Sequence, residues 1–284
     1  MPAEPADLAA VTLADVAPEP GVPKPDPVLV VEGVRRAFEA LVAVDVAHLE
    51  VQRGAITALI GPNGAGKTTF FNVVTGFDRP DAGQWSFDGH ALNRKSAHGV
   101  ARLGMVRTFQ LTKALAKLSV IENMKLGATG QRGERFLSAV LPWTWSAQER
   151  RIEARADELL ERFNLAGSRN DLAGRLSGGQ RKLLEMARAL MVEPRLIMLD
   201  EPMAGVNPAL AQSLLTHVVG LRDQGMSVVF VEHDMDAVME ISDWVVCMAE
   251  GRIIAEGPPA SIGTNSAVID AYLGRHHDEP GTAA

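Results

Sequence analysis

A single cysteine, a single tyrosine and the absence of any long apolar run set the first limits on this chain of 284 residues. Cys247 has no second thiol to pair with, which excludes an intramolecular disulfide and a thiolate zinc cluster and fits a reducing cytoplasm. No stretch approaches the about 18 uninterrupted apolar residues of a membrane-spanning helix. The N-terminus is acidic and proline-rich and lacks the basic and apolar regions of a secretory signal. Basic charge is also short: 28 Lys and Arg against 35 Asp and Glu leave a formal net charge of -7. That balance argues against nucleic acid as the main ligand, since phosphate-backbone binders present a basic face. Apolar residues are plentiful at 46%, ample for the core of one large domain or two small ones.

Taken in order, the chain opens with seven prolines among residues 1–27, including Pro23, Pro25 and Pro27, and reads there as a disordered extension. Apolar alternation then predicts strands over 28–34 and 42–46, followed by a buried strand over 55–60. A helix over 69–77, a short strand over 84–87, a helix over 95–103 and a strand over 105–109 follow. Residues 111–175 read as helical: Ser119 and Glu122 have capping-box spacing, and 146–163 form a charged amphipathic helix. Between them, 127–142 is glycine-rich and then apolar. From Leu176 the pattern alternates again: a helix from Gly179, a strand over 196–199, a helix over 208–222, a strand over 228–231 and a helix over 235–241. This alternation implies a largely parallel sheet covered by helices. Two short strands about Glu250-Gly251, a small helix over 266–273 and a polar tail over 275–284 complete the chain.

Three stretches carry chemistry. Gly61-Pro62-Asn63-Gly64-Ala65-Gly66-Lys67-Thr68-Thr69 lies between a buried strand and a helix. Its glycines let successive backbone N–H groups wrap a polyphosphate, Lys67 adds a point charge, Thr68 offers a hydroxyl to Mg²⁺, and the helix N-terminus favours the anion. Leu196-Ile197-Met198-Leu199-Asp200-Glu201 delivers two adjacent carboxylates to the C-terminal edge of a strand, where open α/β sheets bind ligands. Asp200 is placed to hold Mg²⁺ through water and Glu201 to polarise an attacking water. Leu176-Ser177-Gly178-Gly179-Gln180 opens a third helix and offers a second phosphate-binding end.

Leu-Ser-Gly-Gly-Gln together with the phosphate loop resembles the ATP-binding cassette family of ATPases. The resemblance covers about residues 28–274. It implies an α/β fold: a phosphate-loop NTPase (RecA-like) core with a mostly parallel sheet, an antiparallel β subdomain and an inserted helical subdomain over about 111–175. It also implies that Ser177, Gly178, Gly179 and Gln180 of one subunit close over the γ-phosphate held by residues 61–69 of another, so that each chain holds half of two composite sites. Gln110 matches the glutamine that senses Mg²⁺ and the attacking water, and His233 the histidine that contacts the γ-phosphate and steadies the catalytic glutamate, here Glu201. Phe38 sits where the family places an aromatic against adenine, a stack worth about 1–3 kcal/mol per base; packing in the core beside Leu41 is its alternative.

Ala204-Gly205-Val206-Asn207-Pro208, Arg107-Thr108-Phe109-Gln110, Val231–Met235 and Ala271-Tyr272-Leu273-Gly274 are similar to the ATP-binding subunits of branched-chain and other hydrophobic amino-acid importers. The resemblance therefore implies a peripheral ATPase on the cytoplasmic face of the cell membrane, using ATP and Mg²⁺. Its partners would be transmembrane permease subunits, a second ATP-binding subunit and, indirectly, a solute-binding protein. Urea, amides or an exported lipid are the alternative cargoes. A soluble switch protein of the same family would show tandem cassettes or long heptad arms, which this sequence lacks, and a G protein would show an Asn-Lys-x-Asp motif.

Overall fold

The computed structural model describes residues 13–108, 116–128 and 146–273. Strands β1 (Pro27–Phe38), β2 (Leu41–Gln52), β4 (Ala82–Phe87) and β5 (His90–Ala91) form an antiparallel sheet in the order β2-β1-β4-β5. A second sheet of six strands holds β3 (Ile56–Ile60), β6 (Met105–Arg107), β7 (Leu196–Asp200), β8 (Ser227–Val231), β9 (Trp244–Ala249) and β10 (Arg252–Gly257), in the order β10-β9-β3-β8-β7-β6. Five of these run parallel, and β10 pairs antiparallel with β9 at one edge. The α/β architecture with a mostly parallel sheet is as expected.

Side-chain alternation divides the interior into two cores. On β3, Ile56, Ala58 and Ile60 face the helices α3 (Val120–Gly127), α5 (Gly178–Ala189), α6 (Pro208–Arg222) and α7 (Met235–Ile241), whereas Leu59 faces α1 (Lys67–Val74) and the antiparallel sheet. Because both faces are covered, every residue of β3 is buried. The first two strands run longer than the 28–34 and 42–46 read from the sequence, and α1 ends earlier, at Val74. Between β6 and β7 the described residues hold α3, α4 (Ser146–Arg162), α5 and three short 3₁₀ turns, with a bridge from Ser119 to Leu172.

The proline-rich segment departs from expectation. Residues 13–26 pack along β2 and β10, because Lys24 enters the interior and pairs with Glu256 at 3.0 Å, both side chains being almost wholly buried. Residues 1–12, 109–115, 129–145 and the tail from 274 lie outside the described residues; Gln110 and most of the glycine-rich and apolar stretch 127–142 fall there. Two short helices, α8 (Pro259–Ile262) and α9 (Ser266–Leu273), close the chain, the first unanticipated.

Candidate ATP site

The strand order places three chemical stretches on one edge. β8 lies between β3 and β7, and Val231 is level with both Leu59 and Asp200. The chain therefore leaves β3 into the phosphate loop, β7 into Glu201 and β8 into Glu232-His233, side by side at the C-terminal edge of the sheet.

The loop needs its glycines. Gly61, Gly64 and Gly66 have φ values of 144°, 78° and 99°, the region that side chains avoid. Gly61 and Gly66 are also closed in: a Cβ would stand 2.0 Å from the Met248 carbonyl oxygen and 2.1 Å from that of Ala43. Lys67 Nζ donates to the carbonyls of Gly61 at 2.6 Å and Pro62 at 3.0 Å, so the ammonium lies across the loop. Asn63, Gly64 and Thr68 are exposed, Pro62 and Thr69 partly so, and Ala65 is buried. This is a cradle of backbone and one cation that fits a polyphosphate.

Glu201 and His233 meet: Oε1 and Nε2 lie 2.7 Å apart, both partly exposed. Glu201 adopts a left-handed φ of 48°, an unfavourable conformation for a non-glycine residue that surrounding contacts must hold. Its amide donates to Val231 O at 3.0 Å, and Lys182 Nζ, from α5, donates to its carbonyl at 3.0 Å. Glu232, almost fully buried, accepts from Met203 N at 2.8 Å and His233 N at 3.3 Å, tying the two turns together. Burial raises the Glu232 carboxyl above the usual range against the pull of those two amides, and burial lowers the Lys182 ammonium. Asp200 pairs with Arg107 Nη2 at 2.5 Å, while Arg107 Nη1 reaches Asn72 Oδ1 of α1 at 2.5 Å. A cavity of about 360 Å³ opens beside these groups, lined by Thr108, Lys182, Asp200 and Glu201.

The signature turn is engaged elsewhere. Ser177 and Gln180 form a reciprocal capping box at the start of α5, and Gly179 is pressed so closely to α6 that a Cβ would overlap Leu210. Phe38 is exposed at the end of the β1-β2 hairpin, as is Leu41, which removes the core-packing alternative; the Arg36 guanidinium lies 4.5 Å from its ring. Arg107, Lys182, Glu232 and Asn72 were not singled out from the sequence. Two of them leave a trace there: Arg107 opens Arg107-Thr108-Phe109-Gln110, and Glu232 is a charged residue directly after an apolar strand and before His233.

A phosphate loop at β3 and a carboxylate-histidine pair at the ends of β7 and β8 define the class, a phosphate-loop ATPase. The chain belongs to the ABC transporter family: the profile described as "ABC transporter" matches residues 44–204. A second profile, "Branched-chain amino acid ATP-binding cassette transporter", matches residues 252–278. Among curated relatives, the probable branched-chain amino acid transport ATP-binding protein LivG of Archaeoglobus fulgidus is 41% identical over 252 residues, covering 89% of this chain and 97% of the relative. The high-affinity branched-chain amino acid transport ATP-binding protein BraF of Pseudomonas aeruginosa is 39% identical, covering 87% and 98%. A solved nucleotide-free ATP-binding cassette from an ABC transporter superposes with a TM-score of 0.77 at 35% identity, covering 87% of this chain and 99% of that one.

Proposed function

We propose that this chain is the ATP-hydrolysing subunit of an importer for branched-chain amino acids, working as one of a pair of ATP-binding subunits on the cytoplasmic face of the membrane beneath permease subunits. The observation that carries the reading is the match of both profiles, the second confined to the branched-chain branch, on a chain that keeps the site geometry. Among the described residues no helix is long and apolar enough to cross a membrane; the pathway for solute is assigned to the permease subunits.

Residues 61–69 bind the phosphates, with Lys67 exchanging its loop carbonyls for phosphate oxygens, and Phe38 stacks on adenine. Glu201 takes the proton of the attacking water as general base, and His233, donating from Nε2, keeps the carboxylate turned toward the phosphate. Thr68, Asp200 and Gln110 would hold Mg²⁺. Among the described residues no cluster of three or more acidic, His or Cys side chains forms a protein-only cage, which suits an ion completed by phosphate oxygens and water. That ion supplies charge neutralisation at the phosphates. Ser177, Gly178, Gly179 and Gln180 serve the site of the partner subunit, the α5 N-terminus facing its γ-phosphate. An apolar groove of about 260 Å³ lined by Ala101, Val106, Leu126, Ala189 and Val192 receives a permease helix; Leu126 is 59% exposed there.

The test is ATPase turnover of the complex captured through this chain and reconstituted in lipid, with a solute-binding protein and candidate amino acids. Leu, Ile or Val should stimulate turnover, and Glu201→Gln should retain ATP binding while lowering turnover about 10²–10⁴-fold, the range for loss of a general base. Hydrolysis indifferent to these amino acids would move the cargo to urea, amides or an exported lipid. Near-normal turnover in the variant would remove Glu201 from its role.

A further inference from the structure

The chain has one tyrosine, and its hydroxyl meets the phosphate loop. Tyr272, on α9, accepts a hydrogen bond from Gly61 N at 2.9 Å. Gly61 is the residue at which the chain turns out of β3, it is buried, and its back is pressed against the Met248 carbonyl. Its amide therefore has little access to water. Without the hydroxyl it would be left as a buried donor with no partner, the expensive case among polar groups.

The far end of the loop is held from the same direction. Gly251 N, in the turn between β9 and β10, donates to Ala65 O at 2.9 Å, and Gly251 O accepts from Asp45 N of β2 at 2.7 Å. The segment β9-β10-α9 thus grips the loop at Gly61 and at Ala65, on either side of Pro62, Asn63 and Gly64. Burial raises the Tyr272 phenol above its ordinary value, so it stays a neutral hydroxyl at physiological pH. Nothing in the chemistry assigned above uses α9, although the branched-chain profile spans it.

We propose that Tyr272 is a positioning residue for ATP: its hydroxyl fixes the Gly61 peptide so that the loop amides point inward before nucleotide arrives. This rests on the phosphate-loop assignment, and the experiment separates the two. Equilibrium binding of ATP to the full chain comes first; a wild-type chain that binds no ATP would overturn the loop assignment itself. Tyr272→Phe keeps the ring and removes one oxygen. It should weaken ATP about fivefold to tenfold, the range for losing one partner of a buried hydrogen bond, with the loss in kcat/KM of the assembled complex confined to KM. Amide exchange at Gly61 should accelerate in the same variant. Ile269→Ala, on α9 but 43% exposed, should change neither. If Tyr272→Phe binds ATP as the wild type does, the proposal fails.

A second measurement needs no substitution and so survives a variant that does not fold. Fluorotyrosine incorporated throughout the chain labels position 272 alone, because no other tyrosine exists. Its single ¹⁹F resonance should shift when ATP is added, and a resonance that ignores saturating ATP would overturn the role of Tyr272.

Discussion

Arg107 serves two neighbours with its two terminal nitrogens, Asp200 at the end of β7 and Asn72 on α1, and its side chain is 8% exposed, as is that of Asp200. Removing the cation leaves a buried carboxylate uncompensated, which typically costs about 3–5 kcal/mol. Arg107→Met should therefore lower the free energy of unfolding by about that amount in urea titration. Adding Asp200→Asn should restore much of the stability while leaving turnover low, since Asp200 is one of the residues proposed to hold Mg²⁺. If the single variant is as stable as the wild type, the Arg107–Asp200 pair contributes no net stability. At this scale the sequence exposed the groups that do chemistry and hid those that hold them. Glu201 is legible because it follows a buried apolar strand with Asp200, a position that leaves a polar side chain at a sheet edge, whereas His233 is legible only through the family resemblance. Arg107 sat inside a quoted motif, but its partners are 35 and 93 residues away, and no local pattern encodes that distance.

Among the elements, residues 13–26 are the clearest case of composition misleading. Seven prolines in 27 residues read as disorder, yet one buried lysine anchors the segment. Glu256 receives four donors: Gly21 N, Val22 N, Lys24 Nζ and Trp244 Nε1, and Lys24 Nζ also lies 4.6 Å from the centre of the Trp244 ring. Prolines suit such a strap, because an extended segment with few free conformations loses little entropy on docking. Lys24→Met should leave the buried Glu256 carboxylate without its counter-charge and destabilise the chain by about 3–5 kcal/mol. Limited proteolysis should then cut near Gly21 in the variant and not in the wild type. Equal resistance in both chains would show that the strap is held by something other than this pair. The signature helix α5, by contrast, is legible to within one residue of its start at Gly178, since a Ser-Gly-Gly cap and the following apolar period are local signals.

Across the whole molecule, the central sheet offers a built-in probe. Cys247 lies in β9 between β3 and β10, fully buried, and burial pushes its thiol up to about 12. A thiol that is neither exposed nor ionised reacts only when the sheet opens. Labelling by a disulfide reagent at pH 8 should therefore follow unfolding. Saturating ATP at a hundred times its Kd should slow labelling about 100-fold, the ratio by which a ligand bound only to the folded state suppresses the open one. Labelling at the rate of a free thiol would contradict the placement of β9 in the interior.

The sequence by itself determined the class of fold, the phosphate loop, the two carboxylates after β7 and the signature, because each is a short contiguous pattern whose chemistry depends on spacing along the chain; His233 is legible only through the family resemblance. Tertiary structure alone decided what surrounds them: Arg107 on Asp200, Lys182 and Glu232 about the turn at Glu201, Lys24 under Glu256, and Tyr272 against Gly61. Those contacts join elements far apart in the chain, most of them at the C-terminal edge of the parallel sheet and the Lys24–Glu256 pair toward the opposite edge, where β9 begins. They depend on strand order, which crossover connections set and local pattern does not record.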